Sequence, residues 1–213
     1  MHVAVIIPAY NEEATVADVV KAAREAGPLV GQVIVVDDGS NDNTSEQAQQ
    51  AGAEVLRLPY NSGKVRALLA GAEAAVGEIL VFLDADLVGI TPHHLGLLAL
   101  PLIHREADMT VGVFRRGRLS TDLAQALAPW LSGQRGLSRE LFLRARDRLG
   151  SGFAAEVGLS LYAKRQGLRV VQVPLEGVTH RTKEEKRGFW PGVGARMRMY
   201  LDIWRALTQL PHP

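Results

Sequence analysis

One alternation constrains this chain more than anything else in it. Short apolar runs alternate with helix-length segments over residues 1–90, and three of the four runs end in a polar or acidic cluster. The runs are His2–Pro8 (HVAVIIP), Gln32–Val36 (QVIVV), Val55–Leu58 and Ile79–Leu83 (ILVFL). Continuous apolar strands need cover on both faces. Strands separated by helices of 10–15 residues mean βαβ units and a mostly parallel sheet. The expected helices are Glu12–Ala26 with Asn11 as cap, Asn43–Ala51, and Val65–Val76 opened by Asn61-Ser62-Gly63-Lys64. In such sheets ligands bind beyond the carboxyl ends of the strands. Those ends carry Pro8–Glu12, Asp37–Ser40 and Asp84–Asp86, so three polar clusters are expected on one rim.

The second half is less regular. Helices are expected over Pro92–Arg105, Asp122–Trp130, Arg139–Arg148, Phe153–Arg165 and Gly194–Leu210, strands over Met109–Val113 and Leu168–Pro174, and a charged loop over His180–Arg187. No repeat and no linker interrupts the 213 residues, so one domain is expected, with a functional seam near residue 90. Charge divides at the same seam. Residues 1–100 hold 5 Lys and Arg against 13 Asp and Glu; residues 101–213 hold 19 against 10. An acidic half suits a metal, and a basic half suits an anionic partner. Nucleic acid is the poorer partner, because the acidic half shares the domain. With 47% hydrophobic and 22% charged residues the chain is neither disordered nor a coiled coil. It has no cysteine, hence no disulfide, thiolate metal site or cysteine nucleophile. No apolar run approaches the ~20 residues of a membrane-spanning helix. Met1–Tyr10 lacks a basic leader and reads as a strand. A cytoplasmic location is expected.

Each cluster has chemistry suited to it. Asp84-Ala85-Asp86 offers two hard oxygen donors at a strand end, which suits Mg²⁺ or Mn²⁺ beside a diphosphate, or else helix capping. Asp37 and Asp38 can accept from a base N–H or a ribose hydroxyl, or begin a helix. Gly63 and Lys64 near a helix N-terminus form a generic anion site; Leu58 stands where a Walker A loop needs glycine. Glu156 sits early in a helix, and His180 follows a strand.

Taken together, these residues resemble a glycosyltransferase of family 2 with the GT-A fold. VIIPAYNEE (Val5–Glu13), VVDDGSNDNT (Val35–Thr44), NSGKVRALLAG (Asn61–Gly71) and ILVFLDADL (Ile79–Leu87) carry the resemblance in order and spacing, the last holding the DXD metal motif. The resemblance implies a UDP- or GDP-sugar donor. Pro8, Ala9, Tyr10 and Glu12 would line base and ribose, Asp37 or Asp38 would contact the base, and Gly63, Lys64 and Ala85 would meet the nucleotide. Asp86 would hold the divalent ion, with Asp84 supporting ribose or metal. LSGQRGLSRELF (Leu131–Phe142) is similar to the acceptor-side segment of small bacterial members, which places Gly133, Gln134 and Arg135 at the acceptor. Gly152–Pro174 is similar to a segment shared by polyprenyl-phosphate sugar transferases and glucosyl-3-phosphoglycerate synthases; in the latter, a histidine at the position of His180 completes the metal site.

Two departures bear on the chemistry. Inverting members carry an acidic pair ending in the general base, whereas here Glu156 is followed by Val157. Glu156 is thus either the base or a residue that positions the sugar. Gly136 breaks the QxxRW pattern of processive synthases, so transfer of a single hexose to a small phosphorylated or lipid-linked acceptor is expected. The basic, Trp-containing stretch from Arg181 to Arg205 suits peripheral contact with an anionic membrane face, or docking on the domain or on a dimer partner. Two rival classes are a haloacid-dehalogenase-type phosphatase with Asp84 as nucleophile and Asp86 as acid, and a nucleotide-sugar-binding protein without activity.

Overall fold

A computed structural model describes residues 2–115, 132–149 and 154–181. Strand β1 (Val3–Ala9) lies at the centre. Its apolar residues serve both faces by simple alternation. Val3, Val5 and Ile7 enter one core with helices α1 (Val16–Glu25) and α4 (Pro92–Ile103). Ala4 and Ile6 enter the other with α3 (Lys64–Ala74), α5 (Arg139–Ala145) and α6 (Ala154–Arg165). Burying each Val or Ile of such a strand contributes roughly 1.5–3 kcal/mol, which is why a run of this kind is held between two helical layers.

The chain winds outward from β1 and then returns past it. β2 (Val30–Asp37) pairs parallel with β1 on one side, followed by α2 (Thr44–Gln50) and β3 (Glu54–Arg57) parallel to β2. Helix α3 then carries the chain to β4 (Ile79–Phe82), parallel to β1 on its other side. The remaining strands are β5 (Leu87–Val88), β6 (Met109–Arg115), β7 (Arg135–Ser138), β8 (Val170–Glu176) and β9 (Thr179–His180). The main sheet runs β3-β2-β1-β4-β7-β6-β8. β7 is its antiparallel member, paired with both β4 and β6. The order reverses between β1 and β4, and crevices at such switch points bind ligands. A separate two-residue ladder, β5 with β9, pairs Leu87 with His180.

Among the described residues, the expected strands and helices are present within a few residues at each end, with three differences. The first helix begins at Val16, not Glu12, because Asn11 adopts φ 55° and turns its Oδ1 to the amide of Asn41. β7 was not anticipated: RGLS has no β-branched residue and owes its extended form to the strands on either side. The expected loop at His180 opens with β9. The helices expected at Asp122–Trp130 and Gly194–Leu210, and the basic stretch beyond Arg181, lie outside the described residues. Among those described, no helix is long and apolar enough to cross a membrane.

Candidate active site

The turn after β2 is built around its two acids. Asp37 is fully buried; its Oδ1 accepts from the Ser40 amide at 2.8 Å, and its Oδ2 accepts from the Ser45 hydroxyl. Burial alone would raise its pKa, but the bonds from Ser40 and Ser45 and the charge of Arg57 hold it below the usual carboxylate range. Asp38 accepts the amides of Ser62 and Gly63, one on each oxygen, both at 2.8 Å. Gly39 has no room for a side chain: a β-carbon would lie 2.7 Å from the carbonyl carbon of Tyr60. Ser40 Oγ accepts from the Asn11 amide at 2.9 Å, and the Glu12 amide donates to Thr44 Oγ1 at 2.8 Å. The turn therefore ties the end of β1 to the loop that starts α3. Ala9 is buried, Pro8 is half-buried, and Tyr10 stands exposed on the rim.

The turn after β4 is organised by side chains. Lys64 Nζ sits between two carboxylates, 2.7 Å from Asp84 Oδ1 and 2.8 Å from Glu156 Oε1. Asp84 Oδ2 accepts from Gln134 Nε2 at 2.7 Å. Burial opposes both charges, yet the pair overrides it. Lys64 is pushed well above its ordinary range by Asp84 and Glu156. Asp84 is drawn down to about 2, chiefly by Lys64. Gly133 lets these groups meet, since a β-carbon there would lie 2.7 Å from Asp84 Oδ2 and 2.8 Å from Lys64 Nζ. Glu156 Oε2 is buried and has no hydrogen-bond partner among the described residues.

Asp86 lies on the other side of buried Ala85, and its Oδ1 is 2.9 Å from His180 Nδ1. Burial works against a charge on His180, but its hydrogen bond to Asp86 and the charges of Asp84 and Asp86 outweigh it and raise its pKa. The β5–β9 ladder sets this contact, and the Arg181 amide donates to the Asp86 carbonyl at 2.9 Å. Ligand atoms of Asp84, Asp86 and His180 all lie within 4.8 Å of one another. Two carboxylates and an imidazole, each half-exposed, fit a divalent cation with open positions; the nitrogen suits Mn²⁺ at least as well as Mg²⁺.

The structure brings Lys64, Asp84, Gly133, Gln134 and Glu156 into one cluster and places Asp86 and His180 beside it. It does not bring Arg135 to the rim: this side chain is 2% exposed and points beneath the cluster, to Ser132 and Ser160. No sequence spacing joins Lys64 to Glu156, which are 92 residues apart. Ser40, in the rim cluster Asp37–Ser40, accepts the Asn11 amide, a tie that no spacing in the sequence announces.

Comparison with known proteins gives one consistent answer. The model of the family described as Glycosyl transferase family 2 matches residues 4–156. The glucosyl-3-phosphoglycerate synthase of Mycobacterium tuberculosis is 31% identical over 85% of this chain and 67% of its own length. The synthase of Mycolicibacterium smegmatis is 32% identical over 96% and 65%. The chain thus spans about two thirds of the curated synthases it matches. An undecaprenyl-phosphate 4-deoxy-4-formamido-L-arabinose transferase of Pectobacterium atrosepticum is 36% identical over 40% of this chain and 29% of its own. Among solved structures, the M. tuberculosis synthase with Mn²⁺, UDP-glucose and phosphoglyceric acid superposes with a TM-score of 0.78 at 30% identity, over 99% of this chain and 81% of that one. The same enzyme with Mg²⁺ and UDP gives 0.71 at 32% identity, over 85% and 72%. With its parallel sheet, its DXD turn and these matches, the chain belongs to glycosyl transferase family 2.

Proposed function

We propose that this glycosyltransferase moves one hexose from a UDP-sugar to a small phosphorylated acceptor, with Mn²⁺ or Mg²⁺ as cofactor. The observation that carries the reading is the joint cluster at the switch point: the Asp84–Lys64–Glu156 ion pairs beside the Asp86–His180 pair. UDP is favoured over GDP because the synthase that superposes over nearly the whole chain was crystallised with UDP-glucose and phosphoglyceric acid. A small acceptor is favoured over a lipid-linked one because the undecaprenyl-phosphate relative matches only 40% of the chain.

The roles follow from the contacts. Asp86 and His180 would hold the ion, with Asp84 adjacent. When bound, the ion neutralises charge that builds on the departing nucleoside diphosphate. Lys64 is the movable cation that meets the diphosphate. Asp84, fixed by Gln134, holds Lys64 in place or receives a sugar hydroxyl. Pro8, Ala9, Tyr10 and Glu12 line the nucleotide at the end of β1, beside the loop fixed by Asp37 and Asp38 and by Gly63. Glu156 gives one oxygen to Lys64 and has a second for a hydroxyl of the sugar or acceptor. Gly133 and Gln134 shape the acceptor side. A phosphatase using Asp84 as nucleophile is not favoured, because Lys64 and Gln134 occupy one oxygen each.

Calorimetry tests the donor: UDP should bind more tightly than GDP, require Mn²⁺ or Mg²⁺, and lose affinity in Asp86→Ala. Metal-independent binding, or binding untouched in that variant, sinks the assignment. Transfer from UDP-glucose to phosphoglyceric acid and to a polyprenyl phosphate separates the two acceptor classes. Sedimentation with anionic vesicles tests peripheral membrane contact.

A further inference from the structure

Arg135 is the bulkiest fully buried side chain among the described residues. β7 delivers it to the sheet face that carries α6, where it meets Ser160. A guanidinium keeps its charge at any working pH, so burying one is costly unless donors and charge are both answered. Nε donates to the Ser132 carbonyl at 2.8 Å, and Nη1 donates to Ser160 Oγ at 2.9 Å and lies 3.9 Å from Met109 Sδ. These partners are neutral. Burial draws the Arg135 pKa down to about 10, and the opposing pull comes from the charge of Glu156.

A hydrogen-bond bridge and a shared cavity wall also link Arg135 to Glu156. Ser160, which takes the guanidinium proton, donates in turn to the Glu156 carbonyl at 2.9 Å, one helical turn back. Arg135, Glu156 and Gly133 also border the same small cavity, of about 20 Å³. Arg135 therefore grips from below the turn of α6 whose carboxylate meets Lys64 above.

We propose that Arg135 is a positioning residue: through Ser160 and through its charge it holds Glu156 in place when Lys64 turns to the donor diphosphate. The proposal rests on the reading of Glu156 given under the proposed function. Lys64 is shared between Asp84 and Glu156, so a diphosphate that takes its charge leaves Glu156 without its direct partner. Arg135 cannot follow, because it is enclosed. This accounts for a buried arginine where an apolar side chain of similar size would pack at least as well.

A double-mutant cycle with Arg135→Met, Glu156→Gln and the double variant tests the proposal, read in thermal unfolding, in donor binding with Mn²⁺ and in transfer kinetics. Arg135→Met should lower kcat about 10- to 100-fold. The donor KM should stay within about threefold, and in the Glu156→Gln background the further loss should shrink to within about twofold. The unfolding effects should likewise be less than additive. Arg135→Lys, which keeps the charge, should recover most of kcat. Should Arg135→Met not fold, Ser160→Ala takes its place in the same cycle. Additive unfolding overturns the pairing whether or not the chain transfers sugar. Coupled unfolding with kcat unchanged, or Arg135→Lys as slow as Arg135→Met, overturns the positioning role. A wild-type chain that binds no UDP-sugar with Mn²⁺ refutes instead the reading of the site, and the unfolding cycle still scores the pairing.

Discussion

Two acid-bearing turns flank β1, one after β2 and one after β4, and they put the same side chain to opposite uses. Asp37 and Asp38 are buried and take backbone amides and a serine hydroxyl. Asp84 and Asp86 are half-exposed and face a lysine, a glutamine amide and an imidazole. The surrounding donors decide which acid builds and which acts. A backbone N–H cannot leave its carboxylate without moving the loop. Lysine and histidine can rotate away and leave an anion for a ligand. The first turn thus fixes the loop that carries Lys64, and under the proposed function the second is the site, its counterions detachable.

The sharpest way to break this contrast is to remove one acid from each turn. Asp86→Ala should lower metal-dependent transfer on the order of 10³-fold. It should leave Tm within a few degrees, because the residue is part-exposed and its loss frees only His180. Asp38→Ala should do the reverse. It strands the amides of Ser62 and Gly63, at about 1–3 kcal/mol for each donor left unmet. A total of about 2–6 kcal/mol corresponds to a Tm fall of roughly 4–24 °C in a chain of this size. Thermal scans and initial rates on both variants decide the matter. If Asp38→Ala unfolds like wild type and only fails to bind UDP, the first turn is a ligand site and the contrast is gone.

Gly133→Ala probes the second turn without removing a charge. The added methyl would stand 2.7 Å from Asp84 Oδ2 and 2.8 Å from Lys64 Nζ, so one of them must shift. Overpacking of this kind costs about 1–3 kcal/mol. Displacing Lys64 should slow transfer about 10- to 100-fold. Wild-type kinetics in this variant would mean that the ion-pair geometry has slack the structure does not show.

Both turns can be read from sequence in place but not in partners. β1, β2 and β4 are legible because their apolar residues are continuous, and the acids that follow them fall on the rim as βαβ winding requires. The fate of those acids is not legible. Nothing in Asp37-Asp38-Gly39-Ser40 says that the amides of Ser62 and Gly63 fold back onto Asp38. Nothing in Asp84-Ala85-Asp86 says that Glu156 shares its lysine. β7 was hidden because Arg135, Gly136, Leu137 and Ser138 have no strand pattern of their own. The same strand separates neighbours in the expected acceptor segment: Gln134 contacts Asp84, while the next residue, Arg135, meets Ser160.

The second turn spends no carboxylate on its own backbone, and a titrating residue, His94, braces the start of α4 just after it. The imidazole sits at the third position of α4 and completes a capping box with Thr91, whose amide donates to Nδ1 at 3.1 Å. On its other side it meets the backbone of Glu176, just before the turn that leads to β9 and His180. Nδ1 must stay unprotonated to accept from Thr91. Burial first, and the neighbouring His93 second, lower the His94 pKa, against the opposing influence of Glu176. An unfolded chain therefore binds this proton more readily than the folded one. The stability that His94 contributes is complete above its ordinary value of about 6.5 and is lost as pH falls below it. His180 has the opposite sign: its pKa is raised, so its contribution is present at low pH and fades as pH rises. The difference between wild type and His94→Gln isolates the brace, because glutamine can keep the capping box without titrating. Between pH 7.5 and 5, wild type should lose a few degrees of Tm relative to His94→Gln. Hydrogen exchange should quicken at Thr91 and across β5, while the amides of Ser62 and Gly63 stay protected by Asp38. If the two Tm curves run parallel, or if both turns loosen together, the second turn does not depend on His94 and its stability must come from the β5–β9 pairing alone.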